Sequence, residues 1–253
     1  MPRPRSGPGR GPDFGARAAR YDELRPQNEG WWARFGALVR LGDLRGRRVL
    51  DVGCGTGALA AALAEQAHAR VWGVEPNEAM RAAARRRLPR SVGVRAGRAE
   101  ALPFRDRWFE RVVFSLVVHL VDRPRAFAEA ARVLAPGGRV AIATFSQRHF
   151  DLYWANRFFP SLAAIDRRRF PTLAELRDEL ERAGFADVVA EEIASRETLT
   201  RELALERLRG RHISTFDLLD ADEVARGIAR ADRELPAQVE VRLEQLVVAA
   251  RLA

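Results

Sequence analysis

Cysteine is nearly absent from this chain: Cys54 is the single cysteine among 253 residues. One thiol cannot form a disulfide within the chain, and disulfides belong mainly to oxidising compartments. The first fifteen residues are rich in Pro, Gly and Arg and contain no apolar stretch of the kind that a secretory signal needs. No apolar run approaches the ~20 residues that span a bilayer. We therefore expect a cytoplasmic protein with no membrane span.

Lysine is absent altogether, so all 43 basic residues are arginines, against 34 acidic residues. The net charge of +9 raises the question of a nucleic-acid partner. The many Arg, Ala, Gly and Pro residues are typical of G+C-rich codon usage, which explains the charge without a binding surface. Residues 1–20 carry five arginines and one aspartate, and the rest of the charge is spread over helices of mixed sign. We therefore expect a solvated surface and no nucleic-acid partner.

The histidines lack the spacing of a metal site. His68, His149 and His212 have no acidic residue or cysteine at the intervals that metal ligands usually show. Two or more such ligands on one short segment are the usual sequence sign of a metal centre. The sequence therefore predicts no metal.

A glycine-rich turn, RRVLDVGCGTG at residues 47–57, follows a short apolar strand. Gly53, Gly55 and Gly57 stand at alternate positions. Glycine lets a ligand lie against the backbone and tolerates the positive φ that such a turn needs. The Ala/Leu-rich segment Thr56–Glu65 predicts a helix whose first amide groups point at the turn. The sequence thus predicts a nucleotide-type cofactor site at the end of a first strand.

Acidic residues help to distinguish two possible cofactors. The turn, with Ala58 after it, also fits the dinucleotide fingerprint G-x-G-x-x-G/A, so the glycines alone leave both open. Asp51, directly before the turn, would repel a pyrophosphate but suits the ammonium group of a cationic amino acid. A second predicted strand, Arg70–Val74, ends in Glu75, where a carboxylate can accept both hydroxyls of a ribose in either cofactor.

Five segments in order along the chain resemble the class I S-adenosylmethionine-dependent methyltransferases. They are VLDVGCGTG at 49–57, VEPNEAM at 74–80, AGRAEALPF at 96–104, WFERVVFSLVVHLV at 108–121 and RVLAPGGRVAIATF at 132–145. The resemblance extends over more than half of the chain. A dehydrogenase has no reason to carry the A-E-x-L-P or L-x-P-G-G pattern of the third and fifth segments.

The resemblance implies methyl transfer from S-adenosyl-L-methionine to an acceptor. We expect a small molecule with an O, N or C nucleophile, attacked in line. Alignment alone provides about 7–11 kcal/mol of the barrier, so we expect no obligatory catalytic dyad. The alternatives are an RNA or protein methyltransferase and an NAD(P)-binding α/β protein. The absence of a Pro-Cys pair, and of N/D-P-P-Y/F/W after the fourth strand, argues against two routes of nucleobase methylation. We expect a monomer or homodimer.

Strands and helices alternate along the sequence up to Phe145, which predicts an α/β, doubly wound, mostly parallel sheet. The resemblance implies seven strands in the order 3-2-1-4-5-7-6, with helices on both faces. The last two predicted strands, Asp187–Glu192 and Glu240–Leu252, are about 45 residues apart. We therefore expect a helical insertion before the last strand.

The expected domain organisation follows from these patterns. We expect a disordered tail at residues 1–15, because that segment has almost nothing to bury. Residues 16–253 form a single methyltransferase domain in this interpretation. Two segments that lack the strand periodicity, 146–171 and 195–238, are expected to be cap or insert segments.

The resemblance assigns the residues at the glycine turn to the methionyl and ribose parts of the cofactor. The backbone at Gly53, Cys54 and Gly55 would approach the methionyl part, unless the glycines only make a tight turn. Asp51 would position the amino group, directly or through a water, and can also cap the turn. Glu75 would take the ribose hydroxyls, with a helix-capping acid as the alternative.

The adenine contacts depart from the family at one position. Pro76 and Asn77 begin a predicted helix, and the resemblance places them against adenine, although local capping is an alternative. Arg98 stands where the family commonly has an aspartate that accepts from the adenine amino group, and arginine has no acceptor. The backbone N–H of Ala99 can still donate to adenine, and Glu100 can supply the missing acceptor or point into the neighbouring helix.

The resemblance also suggests residues for the methyl donor and the acceptor. Ser115 ends the fourth strand, and its backbone can contact the methionyl group. His119 is a candidate general base, or else a packed histidine. Tyr21 would cover the cofactor as a lid, or belong to the apolar stripe of a helix at 16–41 that is interrupted at Pro26. Four aromatic residues could wall an acceptor pocket or belong to the core: Tyr153, Trp154, Phe158 and Phe159.

Overall fold

Seven strands form one sheet within residues 20–253, the part of the chain that this computed structural model describes. Their order is β3-β2-β1-β4-β5-β7-β6. The strands β1 to β5 pair in parallel, whereas β7 pairs antiparallel with both β5 and β6. The predicted fold class and strand order are therefore confirmed. The strands are β1 Arg48–Val52, β2 Arg70–Glu75, β3 Gly93–Ala96, β4 Phe109–Ser115, β5 Leu134–Phe145, β6 Phe185–Thr200 and β7 Gln238–Leu252.

Helices precede, connect and follow the strands. The α-helices are α1 Tyr21–Leu24, α2 Glu29–Leu41, α3 Ala58–Gln66, α4 Glu78–Arg87, α5 Arg123–Val133, α6 Gln147–Leu152, α7 Leu162–Arg169, α8 Leu173–Arg182, α9 Arg201–Arg209 and α10 Ala221–Glu234. Short 3-10 helices lie at Val118–Leu120, Trp154–Arg157 and Ser214–Leu218. The capping-box spacing at Thr172 and Glu175 forms as its sequence predicts, at the start of α8.

Both faces of the sheet are buried, which is why its central strands are almost entirely apolar. On one face Leu50 and Phe114 pack with α5 and α8. On the opposite face Val49 and Val113 pack with α2 and α3. Neighbours along a strand point to opposite faces, so each central strand contributes to both cores. This packing fixes the loops that follow β1, β2, β4 and β5 at one edge of the sheet.

A third apolar cluster belongs to the elements that follow β5 and β6. Its buried side chains include Phe159, Leu205, Phe216 and Val224. They come from the segment after β5, from α9, from the last 3-10 helix and from α10. The segments before β6 and between β6 and β7 therefore share one core. That core lies beside the carboxyl end of β5, where β7 contributes Val241.

The strand β6 is longer than the predicted Asp187–Glu192. It pairs with β7 from Phe185 to Thr200. Its side chains alternate between half-buried and exposed because it is an edge strand with one partner. Charged residues such as Arg196 and Glu197 therefore occupy strand positions at which the sequence pattern indicates no strand. The insertion between the two strands is correspondingly shorter than expected from the sequence.

Two further predicted boundaries differ from the structure. The predicted helix at 16–41 is two helices, α1 and α2, with a break that contains Pro26; residues 16–19 and the predicted tail at 1–15 lie outside the described residues. Asn28 caps α2 by accepting from the Trp31 amide at 3.0 Å. Strand β5 begins at Leu134, directly after α5, and passes through Pro136–Gly138 with a bulge opposite β4.

Candidate functional site

A cavity of about 610 Å³ opens at the carboxyl ends of β1, β2, β4 and β5. Ligands of open α/β sheets bind at this edge, where the strand order reverses. Twelve of the residues that the sequence singles out for the cofactor, the methyl donor and the acceptor line this one cavity: Tyr21, Asp51, Gly53, Cys54, Gly55, Glu75, Pro76, Arg98, Ala99, Glu100, Ser115 and His119. The structure thus brings the predicted residues together, and the role of each stays a prediction.

The glycine loop, residues 53–57, is held against β2 by its backbone. The amides of Gly53 and Cys54 both donate to the Val74 carbonyl, at 2.8 and 3.1 Å. Gly53 has a φ of +71°, and a Cβ there would lie 2.6 Å from Cγ2 of Val117. Gly55 has a φ of +55°, and a Cβ there would meet no described atom within 4 Å. Val117 therefore excludes a larger side chain at position 53, whereas a side chain at position 55 would enter the cavity.

Two carboxyl groups face the cavity beside this loop. Glu75 accepts from the amide of Gly55 at 3.1 Å and from that of Asn77 at 2.8 Å, one bond on each oxygen. Asp51 is only 1% exposed, and its Oδ2 has no hydrogen-bond partner among the residues that the structure describes. Burial, and then the negative charge of Glu75, raise the pKa of Asp51 to about 7. A cationic group bound here would relieve both effects.

This arrangement passes a test of fit for the expected ligand. The Asp51 oxygen without a partner can accept from an ammonium group, and an unpaired buried polar atom is otherwise costly. Each oxygen of Glu75 retains a lone pair that can accept from a ribose hydroxyl. The open space above Gly55 admits a ligand against the backbone. A pyrophosphate fits poorly, because two carboxylates would face its negative charges.

Cys54 contributes backbone rather than a reactive thiol. Its side chain is buried and packs against β2, where a Cβ added to Gly73 would lie 2.7 Å from Sγ. Burial, together with the charges of Asp51 and Glu75, raises the pKa of the thiol. The thiolate form is therefore suppressed, and a thiol that stays protonated is a poor nucleophile.

The predicted adenine contacts lie where β2 and β3 end. Asn77 caps α4 by accepting from the Met80 amide at 3.1 Å, so capping and lining of the cavity hold together. The Arg98 side chain is 71% exposed and lies 3.6 Å from Glu100. Glu100 accepts from the Asp122 amide at 2.9 Å through one oxygen. Its other oxygen faces Arg98, and the carboxylate can still supply an acceptor at the cavity wall.

The helix α1 is tied to the glycine loop by a residue that the sequence analysis did not single out. Asp22 accepts from Oγ1 of Thr56 at 2.8 Å and from Nη2 of Arg87 at 2.6 Å. The neighbouring Tyr21 lines the cavity, and its hydroxyl accepts from Arg25 at 2.8 Å. These bonds place Tyr21 over the loop, where a lid would lie. Thr56 and Arg87 are 34 and 65 positions from Asp22 in the sequence, so no local pattern indicates these bonds.

His119 lies in the 3-10 helix that follows β4. Its ring stacks on Phe170, with centroids 3.9 Å apart and planes 16° apart. Its Nδ1 is buried and has no hydrogen-bond partner within residues 20–253. Burial, and then the charges of Arg169 and Arg25, hold its pKa well below the ordinary value. The ring is therefore neutral at pH 7 and can accept a hydrogen bond, but it is a weak base.

Aromatic residues from the end of β5 and the segment after it line part of the cavity, which we call the aromatic end. It comprises Phe145, Phe150, Tyr153, Trp154 and Phe170. The four predicted aromatic residues divide between the two interpretations. Tyr153 and Trp154 line the cavity, whereas the other two, at positions 158 and 159, are buried in the third apolar cluster. The sequence gave no sign of the role of Phe145, which ends an apolar strand.

A buried hydrogen-bond chain closes the aromatic end. The Tyr153 hydroxyl lies 2.7 Å from Nε2 of His212, and Nδ1 of His212 lies 2.8 Å from the Arg207 carbonyl. A carbonyl can only accept, so Nδ1 carries the proton and Nε2 accepts from Tyr153. Burial raises the pKa of Tyr153, so the hydroxyl stays protonated. This chain ties the segment after β5 to the segment between β6 and β7.

Over the described residues, no group of three His, Cys, Asp or Glu side chains is arranged to hold a metal ion. No helix between Arg20 and Ala253 is long and apolar enough to cross a membrane.

Comparison with known proteins identifies relatives of this sequence. The family described as "Methyltransferase domain" matches residues 50–142, which run from β1 to β5. The ubiquinone/menaquinone biosynthesis C-methyltransferase of Methylobacterium nodulans is 35% identical over 207 residues, covering 69% of this chain and 82% of that protein. The malonyl-[acyl-carrier protein] O-methyltransferase of Geobacter sulfurreducens is 36% identical over 181 residues, covering 68% of this chain and 67% of that protein.

Solved structures share the fold. A protein of Anabaena variabilis, assigned as a methyltransferase of an antibiotic biosynthesis pathway, superposes with a TM-score of 0.67 and 24% identity. The match covers 85% of this chain and 96% of that one. The YcgJ protein of Bacillus subtilis gives a TM-score of 0.59 with 19% identity, over 87% and 98% of the two chains. At these identities the likeness shows the fold alone.

Proposed function

Because this chain belongs to the class I S-adenosylmethionine-dependent methyltransferases, we propose that it methylates a small molecule bound at the aromatic end of the cavity. The observation that carries this proposal is the continuity of one cavity from the glycine loop to the aromatic end. A volume of about 610 Å³ lies within the range of small-molecule sites. The closing bonds from Tyr153 to His212 support an enclosed acceptor rather than a macromolecular one.

The cofactor is S-adenosyl-L-methionine, which supplies a methyl group on a sulfonium centre that is already a good electrophile. We propose that Asp51 binds its ammonium group and Glu75 its ribose hydroxyls. The backbone at Gly53, Cys54 and Gly55 would lie along the methionyl part. On the adenine side we propose contacts from Pro76, Asn77, Arg98, Ala99 and Glu100. Tyr21 would cover the bound cofactor, and the Ser115 backbone would contact its methionyl part.

The chain's contribution to rate is alignment and exclusion of water. Positioning of two reactants is worth about 7–11 kcal/mol, whereas a positioned base gives about 10²–10⁴-fold. The low pKa of His119, caused first by burial, makes it a poor proton acceptor. We propose that His119 acts on the acceptor through its neutral ring, by packing and a hydrogen bond. The aromatic end keeps water from the reacting groups.

The names of the relatives do not agree on which kind of acceptor atom is methylated. By their names one acts at carbon and one at oxygen. The family match at residues 50–142 covers β1 and most of β5, whereas the aromatic end lies at the end of β5 and in the segment after it. A monomer or homodimer stays a prediction. The cytoplasmic location also stays a prediction, supported by the single cysteine.

A metabolite screen tests the small-molecule acceptor. Small-molecule and macromolecular fractions of a cell extract would be incubated with the enzyme and isotopically methyl-labelled cofactor. We expect labelled product in the small-molecule fraction, as a compound that gains one labelled methyl group in place of a hydrogen atom. An enzyme with Gly55→Val serves as the control for background methylation. Label found in RNA or protein alone would contradict the proposal.

A further inference from the structure

The cavity wall carries charged groups of both signs. Near the glycine loop stand the carboxyl groups of Asp51 and Glu75. The segment before β1 brings two arginines to the cavity wall, Arg25 and Arg34. In the described part of the chain, neither guanidinium lies within ion-pair distance of a carboxylate. The cavity therefore contains two positive charges that the protein itself leaves unbalanced.

Both arginines are bound by neutral acceptors. Arg25 donates from Nε to the His212 carbonyl at 2.7 Å and from Nη1 to the Tyr21 hydroxyl at 2.8 Å. Arg34 donates from Nη1 to Oε1 of Gln245 at 2.6 Å. These bonds hold each side chain in place but do not neutralise it. A guanidinium has further N–H groups in a planar fork, so each arginine can still bind an oxyanion.

Two other acidic groups of the cavity wall are already paired. Asp166 accepts from Nη1 of Arg169 at 3.4 Å, and Glu197 from Nη1 of Arg207 at 2.6 Å. Both carboxylates line the cavity, and each has its own arginine. They therefore leave the charge of Arg34 uncompensated. Such a charge is costly to desolvate unless a ligand of opposite sign reaches it.

The cofactor brings one carboxylate, which accounts for at most one of the two arginines. Arg25 lies beside Tyr21, the residue over the glycine loop, and is the arginine placed to meet that carboxylate. Arg34 is placed differently. Its partner Gln245 is on β7, in register with Phe145 of β5. From β1 to β7 there are three strand spacings of about 4.8 Å each, so Gln245 holds the Arg34 guanidinium on the β7 side of the cavity, away from the glycine loop after β1.

Burial supports the assignment of Arg34 to a ligand. Gln245 is fully buried at 0% exposure, and it also donates to the Gly30 carbonyl at 3.4 Å, so its amide is fixed. Burial, and in addition the charge of Arg25, lower the pKa of Arg34 to about 10. The guanidinium therefore stays protonated at neutral pH, 5.9 Å from the ring centroid of Trp31, in a cavity that Phe145 and Phe150 also line. A fixed cation next to an apolar pocket suits an amphiphilic anion.

We propose that the methyl acceptor is an organic anion with an apolar body, and that Arg34 binds its oxyanion group. This inference rests on the proposed function and adds the chemical class of the acceptor. The apolar body would lie against the aromatic end. Arg34 would then set which end of the acceptor faces the methyl donor. A carboxylate and a phosphate-type group share the required chemistry, because both accept from a guanidinium fork.

Matched pairs of acid and amide test the proposal. The probes are benzoate, 3-phenylpropanoate and 4-phenylbutanoate, each with its uncharged amide, together with 2-phenylethylphosphonate. Dissociation constants are measured calorimetrically with the full chain and saturating S-adenosylhomocysteine. We expect at least one oxyanion to bind the wild type about tenfold or more tightly than its amide. If the phosphonate binds most tightly, the oxyanion of the acceptor is a phosphate-type group. If a carboxylate binds most tightly, the oxyanion is a carboxylate.

Variants of Arg34 test whether this residue causes the tighter binding of the oxyanion over its amide. Arg34→Gln should remove it, whereas Arg34→Lys, which keeps the charge, should retain part of it. Arg40→Gln is the matched control on the same helix, since Arg40 is exposed and pairs with Glu191 at the surface. Circular dichroism and binding of S-adenosylhomocysteine show whether each variant is folded.

Two results would overturn the proposal. One is that no probe acid binds the wild type better than its amide; the other is that Arg34→Gln keeps the preference while binding S-adenosylhomocysteine. Failure of the wild type itself to bind S-adenosylhomocysteine is a separate result. It would contradict the proposed cofactor site, so the two failures are distinguishable.

Discussion

The glycine-loop end and the aromatic end of the cavity are built in different ways. The first is formed by short segments that directly follow β1, β2 and β4, and each segment carries its own motif. The second is formed by side chains from α2, from the segment after β5 and from the segment between β6 and β7. The first end is acidic and suits a cation, whereas the second carries an unbalanced arginine. A common methyl donor and a particular acceptor require just such a division.

The largest effect is expected from Gly55→Val at the glycine-loop end. The side chain would enter the cavity at a residue with a φ of +55°. We expect affinity for S-adenosylhomocysteine to fall by about a hundredfold or more, because ligand and side chain cannot share that space. Calorimetry measures the loss. Gly46→Val is the matched control: Gly46 has a φ of +69° and no described atom within 4 Å of an added Cβ, but it lies outside the cavity wall. Equal binding by both variants would contradict the loop assignment.

A smaller effect is expected from Asp51→Asn. Loss of a charged partner for the ammonium group should weaken S-adenosylhomocysteine about tenfold to a hundredfold at pH 8. Binding to the wild type should strengthen as pH rises through about 7, where Asp51 ionises. The variant should lose that pH dependence. Calorimetry at pH 6 and pH 8 tests both, and a wild-type affinity independent of pH would contradict the assignment. Asp178→Asn, a surface change, is the control.

In the protein without ligand, Asp51→Asn is expected to affect stability differently from ligand affinity: the change weakens binding but does not weaken folding. The pKa of Asp51 is raised on folding, first by burial, so the ionised form opposes folding. Its contribution to stability is present at about pH 4 and is lost as pH rises to about 7. Asp51→Asn should therefore not lower the free energy of unfolding at pH 8, as urea titrations would show. A loss of stability there would mean that Asp51 has a structural partner.

An intermediate effect is expected from His119→Ala at the boundary between the two ends. Once an acceptor is identified, we expect turnover to fall about tenfold without being abolished, because the weakly basic ring contributes contact rather than proton transfer. His119→Phe keeps the stacking on Phe170 and should retain more activity than the alanine variant. Loss of all turnover in both variants, with cofactor binding intact, would show that proton transfer dominates.

The smallest effect is expected from Asp22→Asn, which weakens the bonds from α1 to Thr56 and Arg87. We expect S-adenosylhomocysteine to dissociate a few-fold faster, because fastening of the lid is worth about one charged hydrogen bond that is partly screened. Stopped-flow displacement measures the rate. Glu23→Gln is the matched control, since among the described residues this exposed neighbour pairs with Arg20 alone. An unchanged dissociation rate in Asp22→Asn would show that the bonds of α1 do not help to retain the bound ligand.

The sequence predicts the glycine-loop end because its determinants are local. The strand before Asp51, the glycines and the carboxylate at Glu75 lie within contiguous motifs, and the family resemblance that these motifs carry implies the strand order. The aromatic end has no such local sign. Arg34 and Gln245 meet across 211 positions of sequence. A charged residue within a helix is usually solvated, so only the fold reveals that Arg34 faces a cavity.

The central claim is that the acidic end of the cavity binds S-adenosylmethionine rather than a dinucleotide. Its most direct test is calorimetric titration of the wild type with S-adenosylhomocysteine and, separately, with NAD⁺ and NADP⁺ at pH 8. The account predicts saturable binding of one S-adenosylhomocysteine per chain and no measurable binding of either dinucleotide. Binding of a dinucleotide, with none of S-adenosylhomocysteine, would contradict it.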